Sequence, residues 1–258
     1  MGTLNGSKAQ VTRRPLVTGS ALVRLLAALT DAADVPASKA AFAERLSGWV
    51  DWRDAISLSA ALNSAPAVAP VPPTRTRALP PATAAEREYR RVRAELTTLV
   101  EQAPAGKTEP RPLNPTAAAR RAAPEAAALD FPSYRQRYLA AQQAMDTQIG
   151  TLRERLQAAL ATLSPEMARL AALDVAMAPI IGAQEQALLA SLPASLGVHF
   201  ERLRRTQAAE ATLQTEPEAT PSTAWLDHFC QDMRALLLAE LDHRMQPLEG
   251  LLAALRGS

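Results

Sequence analysis

The clearest pattern in the chain is a set of apolar residues that recur at helical spacing through its C-terminal half. Between Tyr134 and Leu163 they recur about every 3.6 positions, which places them on one face of an α-helix. The Ser-Pro-Glu sequence at residues 164–166 then predicts the end of one helix and the start of the next. A one-sided apolar face must be buried, so residues 133–258 predict a bundle of long antiparallel helices or a coiled-coil-like assembly.

Two further apolar stripes are predicted in this half. The helix after Ser164 carries its stripe at Met167, Leu170, Leu173, Met177, Ile181 and Leu188. The last helix, opened by Ser222 as its N-cap, carries Trp225, Phe229, Met233, Leu237, Leu241, Met245, Leu248, Leu252 and Leu255. Each stripe is expected to be buried against another helix or against a second chain.

The N-terminal part predicts a small helical unit over residues 19–63, after a disordered tail at residues 1–18. Its first helix begins near Ser20. The stretch FAERLSGWVDWRDAISLSAAL that follows is compatible with one continuous helix or with two short ones. Two helices are favoured, because Asp51 can cap the second helix and Asp54 can complete a capping box. The small core of this unit is then expected to come from apolar residues of all three helices, namely Leu22, Leu26, Leu29, Phe42, Leu46, Ile56, Leu58 and Leu62.

Residues 64–132 are predicted to form a proline-rich connector that contains one helix. Six prolines lie between Pro66 and Pro81, and proline fixes φ and lacks a backbone donor. A capping box from Thr83 to Glu86 predicts a helix over about residues 83–102. A second box, Ser133 with Gln136, predicts the start of the C-terminal bundle.

Composition strengthens the helical prediction and weakens several functional ones. The chain of 258 residues has 55 Ala and 36 Leu but only 4 Ile and 11 Val, so the fold class is all-α. No run of about 20 apolar residues appears, and no membrane span is predicted. The single cysteine, Cys230, cannot form an internal disulfide, which fits the cytoplasm.

Arginine is the only strong charge signal. The net charge is +2, with a cluster near the start of the connector helix. Its members are Arg87, Arg90, Arg91 and Arg93. Glutamates interleave this cluster, so a solvated face with ion pairs is favoured over a phosphate-binding patch. A nucleic-acid-binding protein remains the alternative hypothesis.

Motifs for catalysis or cofactors are incomplete. Residues 106–108 read Gly-Lys-Thr, but Glu101 stands where a phosphate-binding loop needs glycine. Glu240 and His243 have the spacing of a di-iron ligand pair, but no second copy exists. No catalytic residue, cofactor or metal is therefore predicted, and the protein is expected not to be an enzyme.

Two tryptophans, Trp49 and Trp52, lie close together in a chain with few aromatic residues. They could close the core of the N-terminal unit, which is the favoured interpretation, or at least one could stay exposed and bind a partner. With the four arginines they form the candidate interaction surface.

The segment FAERLSGWVDWRDAISLSAALN, the helix LVRLLAAL before it and the proline-rich stretch after it resemble a bacterial domain-of-unknown-function family. The resemblance is specific over about residues 16–63. It implies no catalytic residue. It does imply an association with envelope proteins, because genes of the family often lie beside genes for proteins that resemble proton-channel and peptidoglycan-binding components. The expected function is protein–protein interaction or scaffolding, with an unknown protein partner, possible self-association and an accessory role in an envelope assembly.

Overall fold

The computed structural model describes residues 20–30, 42–63, 81–105, 130–213 and 224–257. Within these ranges all regular structure is α-helical, which confirms the all-α prediction. The helices are α1 (Ala21–Leu29), α2 (Phe42–Trp49), α3 (Trp52–Asn63), α4 (Pro81–Gln102), α5 (Phe131–Ala161), α6 (Pro165–Leu189), α7 (Leu192–Leu213) and α8 (Ala224–Arg256). The predicted tail, most of the proline-rich stretches, the Gly-Lys-Thr sequence and the Ser222 cap lie outside the described residues.

Helices α5 and α8 form the centre of the bundle. Helix α5 packs against α4, α6, α7 and α8, and α8 packs also against α1, α4 and α7. Helix α4, predicted within the connector, therefore belongs to the packed bundle. Helix α1 lies on α7 and α8, whereas α2 and α3 lie on α6. The division of the chain into separate units stays a prediction.

The predicted stripes of α5 and α8 are confirmed. Helix α5 buries its stripe from Tyr134 to Leu160, and α8 buries its stripe from Phe229 to Leu255. Trp225 at the start of α8 is half-buried against the same core. Because both helices carry leucine and methionine at regular spacing, the two stripes can face each other over most of their length.

The prediction that the α6 stripe forms a buried face is wrong. Leu170, Ile181 and Leu188 are exposed, and Leu188 is 72% exposed. The buried residues of α6 are Ala168, Ala171, Ile180 and Leu189. Two of these four are alanines, whose short side chains let another helix approach closely, and Ile180 and Leu189 are buried as well. Leu170, Ile181 and Leu188 lie on a different side of the helix.

An aromatic cluster joins α5, α7 and α8 at one end of the bundle. The Phe200 ring of α7 lies 4.9 Å from the Phe229 ring and 5.2 Å from the Trp225 ring, both edge-on. Phe131 of α5 lies 5.6 Å from Phe200 and contacts α7 at Gly197. A Cβ atom at position 197 would come within 2.8 Å of the Phe131 ring, so a larger residue there would have to displace that ring.

A buried carboxylate joins the middle of α8 to the N-terminal part of α5. Glu240 is 0% exposed and accepts hydrogen bonds from Tyr138 Oη at 2.7 Å and from Gln142 Nε2 at 3.0 Å. Arg244 donates to the same carboxylate at 2.8 Å. Burial raises the pKa of Tyr138, and the nearby Glu240 carboxylate raises it further. The phenol therefore stays protonated and donates a hydrogen bond to Glu240. A buried charge without partners is costly, and here the Glu240 carboxylate has partners on Tyr138, Gln142 and Arg244.

A partly buried ion pair joins α5 to α6. Arg153 donates from Nε and Nη2 to the two carboxylate oxygens of Asp174 at 2.8 and 2.6 Å, and Gln157 adds a bond of 2.7 Å. Burial by itself would raise the pKa of Asp174. The hydrogen bonds from Arg153 and Gln157 outweigh burial and lower that pKa below its ordinary value.

Helix starts agree with the sequence at some positions and differ at others. Ser164 Oγ accepts the backbone N–H of Met167 at 3.2 Å, as predicted. The boxes at Thr83 and Ser133 are wrong as helix starts, because α4 begins at Pro81 and α5 at Phe131. Proline fits the first turn of a helix, and here it extends each helix by two residues beyond the predicted cap.

We expect Glu240→Ala to lower the free energy of unfolding by about 3–5 kcal/mol, because it leaves Arg244 without its buried counter-charge. Urea denaturation followed by circular dichroism measures the change. The control is Glu95→Ala, which removes only an exposed ion pair with Arg91 on α4. The control should lose less than about 1 kcal/mol. A loss of similar size in both variants would contradict the role given to Glu240.

Acid titration should reveal the Arg153–Asp174 pair. A carboxylate whose folded pKa is lowered gives stability that is present above its unfolded pKa, near 3.8, and that is lost as pH falls through the folded pKa. The Asp174→Asn variant should therefore lose less stability than the natural chain between pH 4 and pH 2, measured by thermal unfolding. An equal loss of stability in both proteins over this pH range would contradict the role given to the pair.

Candidate interaction surface

A reciprocal capping box starts α3. Asp51 Oδ1 accepts the backbone N–H of Asp54 at 2.8 Å, and Asp54 Oδ2 accepts the backbone N–H of Asp51 at 3.1 Å. The structure thus confirms two helices in this segment. The cap fixes the chain direction immediately before Trp52, which is the first residue of α3.

Helix α3 presents an apolar face to solvent. It packs against α6, yet none of its residues is buried. One face lines a concavity of about 460 Å³. This surface, called the α3 face below, consists of Trp52, Ala55, Ile56, Ser59, Ala60 and Asn63. Trp52 is 80% exposed and Ile56 is 54% exposed, so two large apolar side chains stand on one end of the face.

The structure corrects the predicted core of the N-terminal unit. Ile56 and Leu62 were expected inside, but Leu62 is 61% exposed and Trp52 does not close a core. The reason is the position of α1, which packs on α7 and α8 and so leaves α3 uncovered on its outer side. Trp49, at the end of α2, is half-buried. The side chains of Phe42 and Leu46 lie outside the described part of the chain.

Helix α6, on which α3 lies, adds a second exposed apolar surface. Its exposed residues Leu170, Ile181 and Leu188 are called the α6 stripe below. Among the described residues, the stretch Pro165–Glu210 is long and apolar enough to cross a membrane by length and composition. A single stretch of this kind is a weak indication, since core helices of soluble proteins meet the same criterion.

The four arginines lie on α4, away from the α3 face, and three of them contact carboxylates. Arg90 pairs with Glu86 at 2.6 Å, and Arg91 pairs with Glu95 at 2.7 Å. Arg93 reaches across to α8 and pairs with Asp242 at 2.5 Å. Arg87 is exposed. The structure therefore does not bring the arginines and the tryptophans into one site.

A buried histidine lies between α7 and α8 that sequence reasoning had not singled out. His199 Nε2 lies 2.7 Å from Asp232 Oδ2, and Arg202 Nη2 lies 2.9 Å from His199 Nδ1. Because Arg202 can only donate, Nδ1 accepts and the neutral ring carries its proton on Nε2. Each polar atom of the ring thus has a partner, and the arrangement joins the two helices.

The remaining groups do not complete a reactive site among the described residues. Cys230 Sγ lies 4.0 Å from the hydroxyl of Tyr134, and burial raises the pKa of the Cys230 thiol, which disfavours the reactive thiolate. His243 lies 3.6 Å from Glu185 of α6, whereas Glu240 points into the core. In the described ranges no group of three or more His, Cys, Asp or Glu side chains could hold a metal ion.

A family model described as a protein of unknown function, DUF3348, matches residues 8–257. The chain belongs to the DUF3348 family. The expected membership of a domain-of-unknown-function family is confirmed by this match. No curated protein and no solved structure matches the chain. DUF3348 therefore brings no residue roles with it, and the surface has to be interpreted from its own geometry.

We expect Asp51→Ala to weaken α3 selectively, because it removes one half of the capping box and a cap contributes about 1 kcal/mol. Hydrogen exchange of the α3 amides should become several-fold faster, while the amides of α5 keep their rates. Asp51→Asn is the matched control, since asparagine caps a helix as well as aspartate does. Equal acceleration by both variants would contradict the capping role.

Proposed function

We propose that this DUF3348 protein is a non-enzymatic interaction or scaffolding protein and that it binds a protein partner through the α3 face. The observation that carries the proposal is the 80% exposure of Trp52 on a helix with no buried residue. Tryptophan is enriched at the energetic centres of protein interfaces. An exposed indole beside an exposed isoleucine is typical of such a centre.

The physical argument is the free energy of apolar surface. Burying one large apolar side chain contributes about 1.5–3 kcal/mol. A partner that covers Trp52 and Ile56 together would therefore gain a useful fraction of the energy of a micromolar complex. The capping box supports the proposal further, because it holds α3 in one conformation before binding and so reduces the entropy lost on association.

The buried polar groups support a non-enzymatic role. Glu240 bonds with Tyr138, Gln142 and Arg244 inside the bundle. His199 is likewise engaged with Asp232 and Arg202. A catalytic centre needs polar groups that converge on a substrate, and these groups instead converge on one another.

The pairing of the arginines argues for a protein partner rather than a nucleic acid. A phosphate would have to displace Glu86, Glu95 and Asp242 from Arg90, Arg91 and Arg93. Neighbouring carboxylates also lower the positive potential that attracts a polyanion. Location in the cytoplasm and an accessory role in an envelope assembly belong to the proposal as well. The location is supported by the single cysteine, Cys230, and the accessory role rests on the family resemblance.

Photo-crosslinking in the native cells tests this proposal. With p-benzoylphenylalanine in place of Ile56, we expect strong adducts to protein, because the probe replaces an exposed apolar side chain of the α3 face next to Trp52. The matched control places the probe at Val198 of α7, which is 68% exposed and distant in sequence from α3. Trp52→Ala should remove most adducts formed from position 56.

Two outcomes would overturn the proposal. The first is an equal yield of protein adducts from positions 56 and 198, which would show no preference for the α3 face. The second is a major adduct with nucleic acid, accompanied by retention on heparin that falls steeply with salt, which would favour the arginine-mediated alternative.

A further inference from the structure

We infer that the partner of the α3 face is the same face of a second copy of this chain, packed antiparallel about a two-fold axis. The inference rests on the proposed function and names its partner. It starts from the distribution of large and small side chains along α3. Trp52 and Ile56 are at one end of the face, whereas Ser59, Ala60 and Asn63 are at the other.

This distribution makes the face complementary to itself. In an antiparallel pair, Trp52 lies over Asn63 of the partner subunit, and Ile56 lies over Ser59 of the partner subunit. Each large side chain then fills the space above small ones, and the reverse contact follows from symmetry. A parallel pair would oppose the two indoles and leave a gap between the small residues, which loses packing contacts.

Two polar side chains of the small end are already bonded to each other. Asn63 Nδ2 donates to Ser59 Oγ at 3.2 Å within the same helix. Since burial of a polar group costs most when the group is unpaired, this local bond lowers the cost of placing an indole there.

The α6 stripe supplies the area that α3 lacks. A stable interface buries roughly 800 Å² on each partner, and one short helix face is smaller than that. Helix α6 packs directly against α3 and exposes Leu170, Ile181 and Leu188. A second copy that extends over both helices would bury this stripe too. The dimer would thus cover apolar residues at helical spacing that are exposed in the single chain.

The first test is the mass of the full chain in solution. Sedimentation equilibrium should give a concentration-dependent species of twice 27.6 kDa. The Ile56→Asp variant should raise the dimer dissociation constant by at least about tenfold, because it places a charge at the centre of the interface. The Val198→Asp control changes an exposed apolar residue elsewhere and should leave the constant unchanged.

The second test determines the direction of packing. Two proteins are prepared with Cys230→Ser, one with Ala55→Cys and the other with Ala60→Cys. Antiparallel pairing brings position 55 of one copy to position 60 of the other, so the mixture should form heterotypic disulfides in excess of either homotypic one. Disulfides form only when the Cα atoms are within about 7 Å, which makes the result specific for direction. Predominant homotypic disulfides would overturn the antiparallel arrangement.

The outcomes separate this inference from the proposed function. A chain that stays monomeric while position 56 crosslinks to a different protein would overturn self-association and leave the proposed function standing. A dimer that Ile56→Asp does not weaken would overturn the assignment of the α3 face. A monomer with no preferred crosslinks from position 56 would overturn both.

Discussion

Burial of two long apolar stripes against each other is the constraint on which this structure depends. Helices α5 and α8 each carry large apolar side chains at helical spacing over most of their length, and neither can hide them alone. Once the two stripes face each other, the remaining helices take the outer positions that are left. Helices α1 and α7 extend the core at α8, α4 covers the α5–α8 pair, and α6 lies on α5. The short helices α2 and α3 pack against α6, which is itself an outer helix, and so they lie on the outside of the bundle.

The sequence predicted best the parts of the fold in which one physical signal dominates. The stripes of α5 and α8 are regular and made of large side chains, so spacing alone identified their buried faces. The aspartate pair before α3 offers a cap that works through local bonds only, and the structure contains it. The prediction for α6 was wrong for the opposite reason. Alanine and larger apolar residues occur on several of its faces, so hydrophobicity alone did not identify the face that another helix covers.

The exposure of the candidate interaction surface was likewise not predictable from local sequence. Trp52 was recognised as notable, but whether an indole is inside or outside depends on which helix covers α3, and that is a long-range property. The sequence suggested α1 as the neighbour because it is near in the chain. In the structure α1 lies on α7 and α8 instead. Glu240 was considered only as half of an incomplete di-iron ligand pair, and its burial was not predicted. Tyr138 and Gln142, which lie on another helix, explain why this charge can be buried.

The carboxylate of Glu240 also fixes the longitudinal alignment of the two central helices. Leucine contacts are similar from one turn to the next, so an apolar interface by itself could slide by a turn at modest cost. The buried anion cannot slide, because its two donors on α5, Tyr138 and Gln142, exist at one height only. The aromatic rings around Phe229 provide a second fixed point nearer the start of α8. The number of residues between these two points is therefore set, and an insertion there would rotate one point out of the core by about 100° while the other stayed in place.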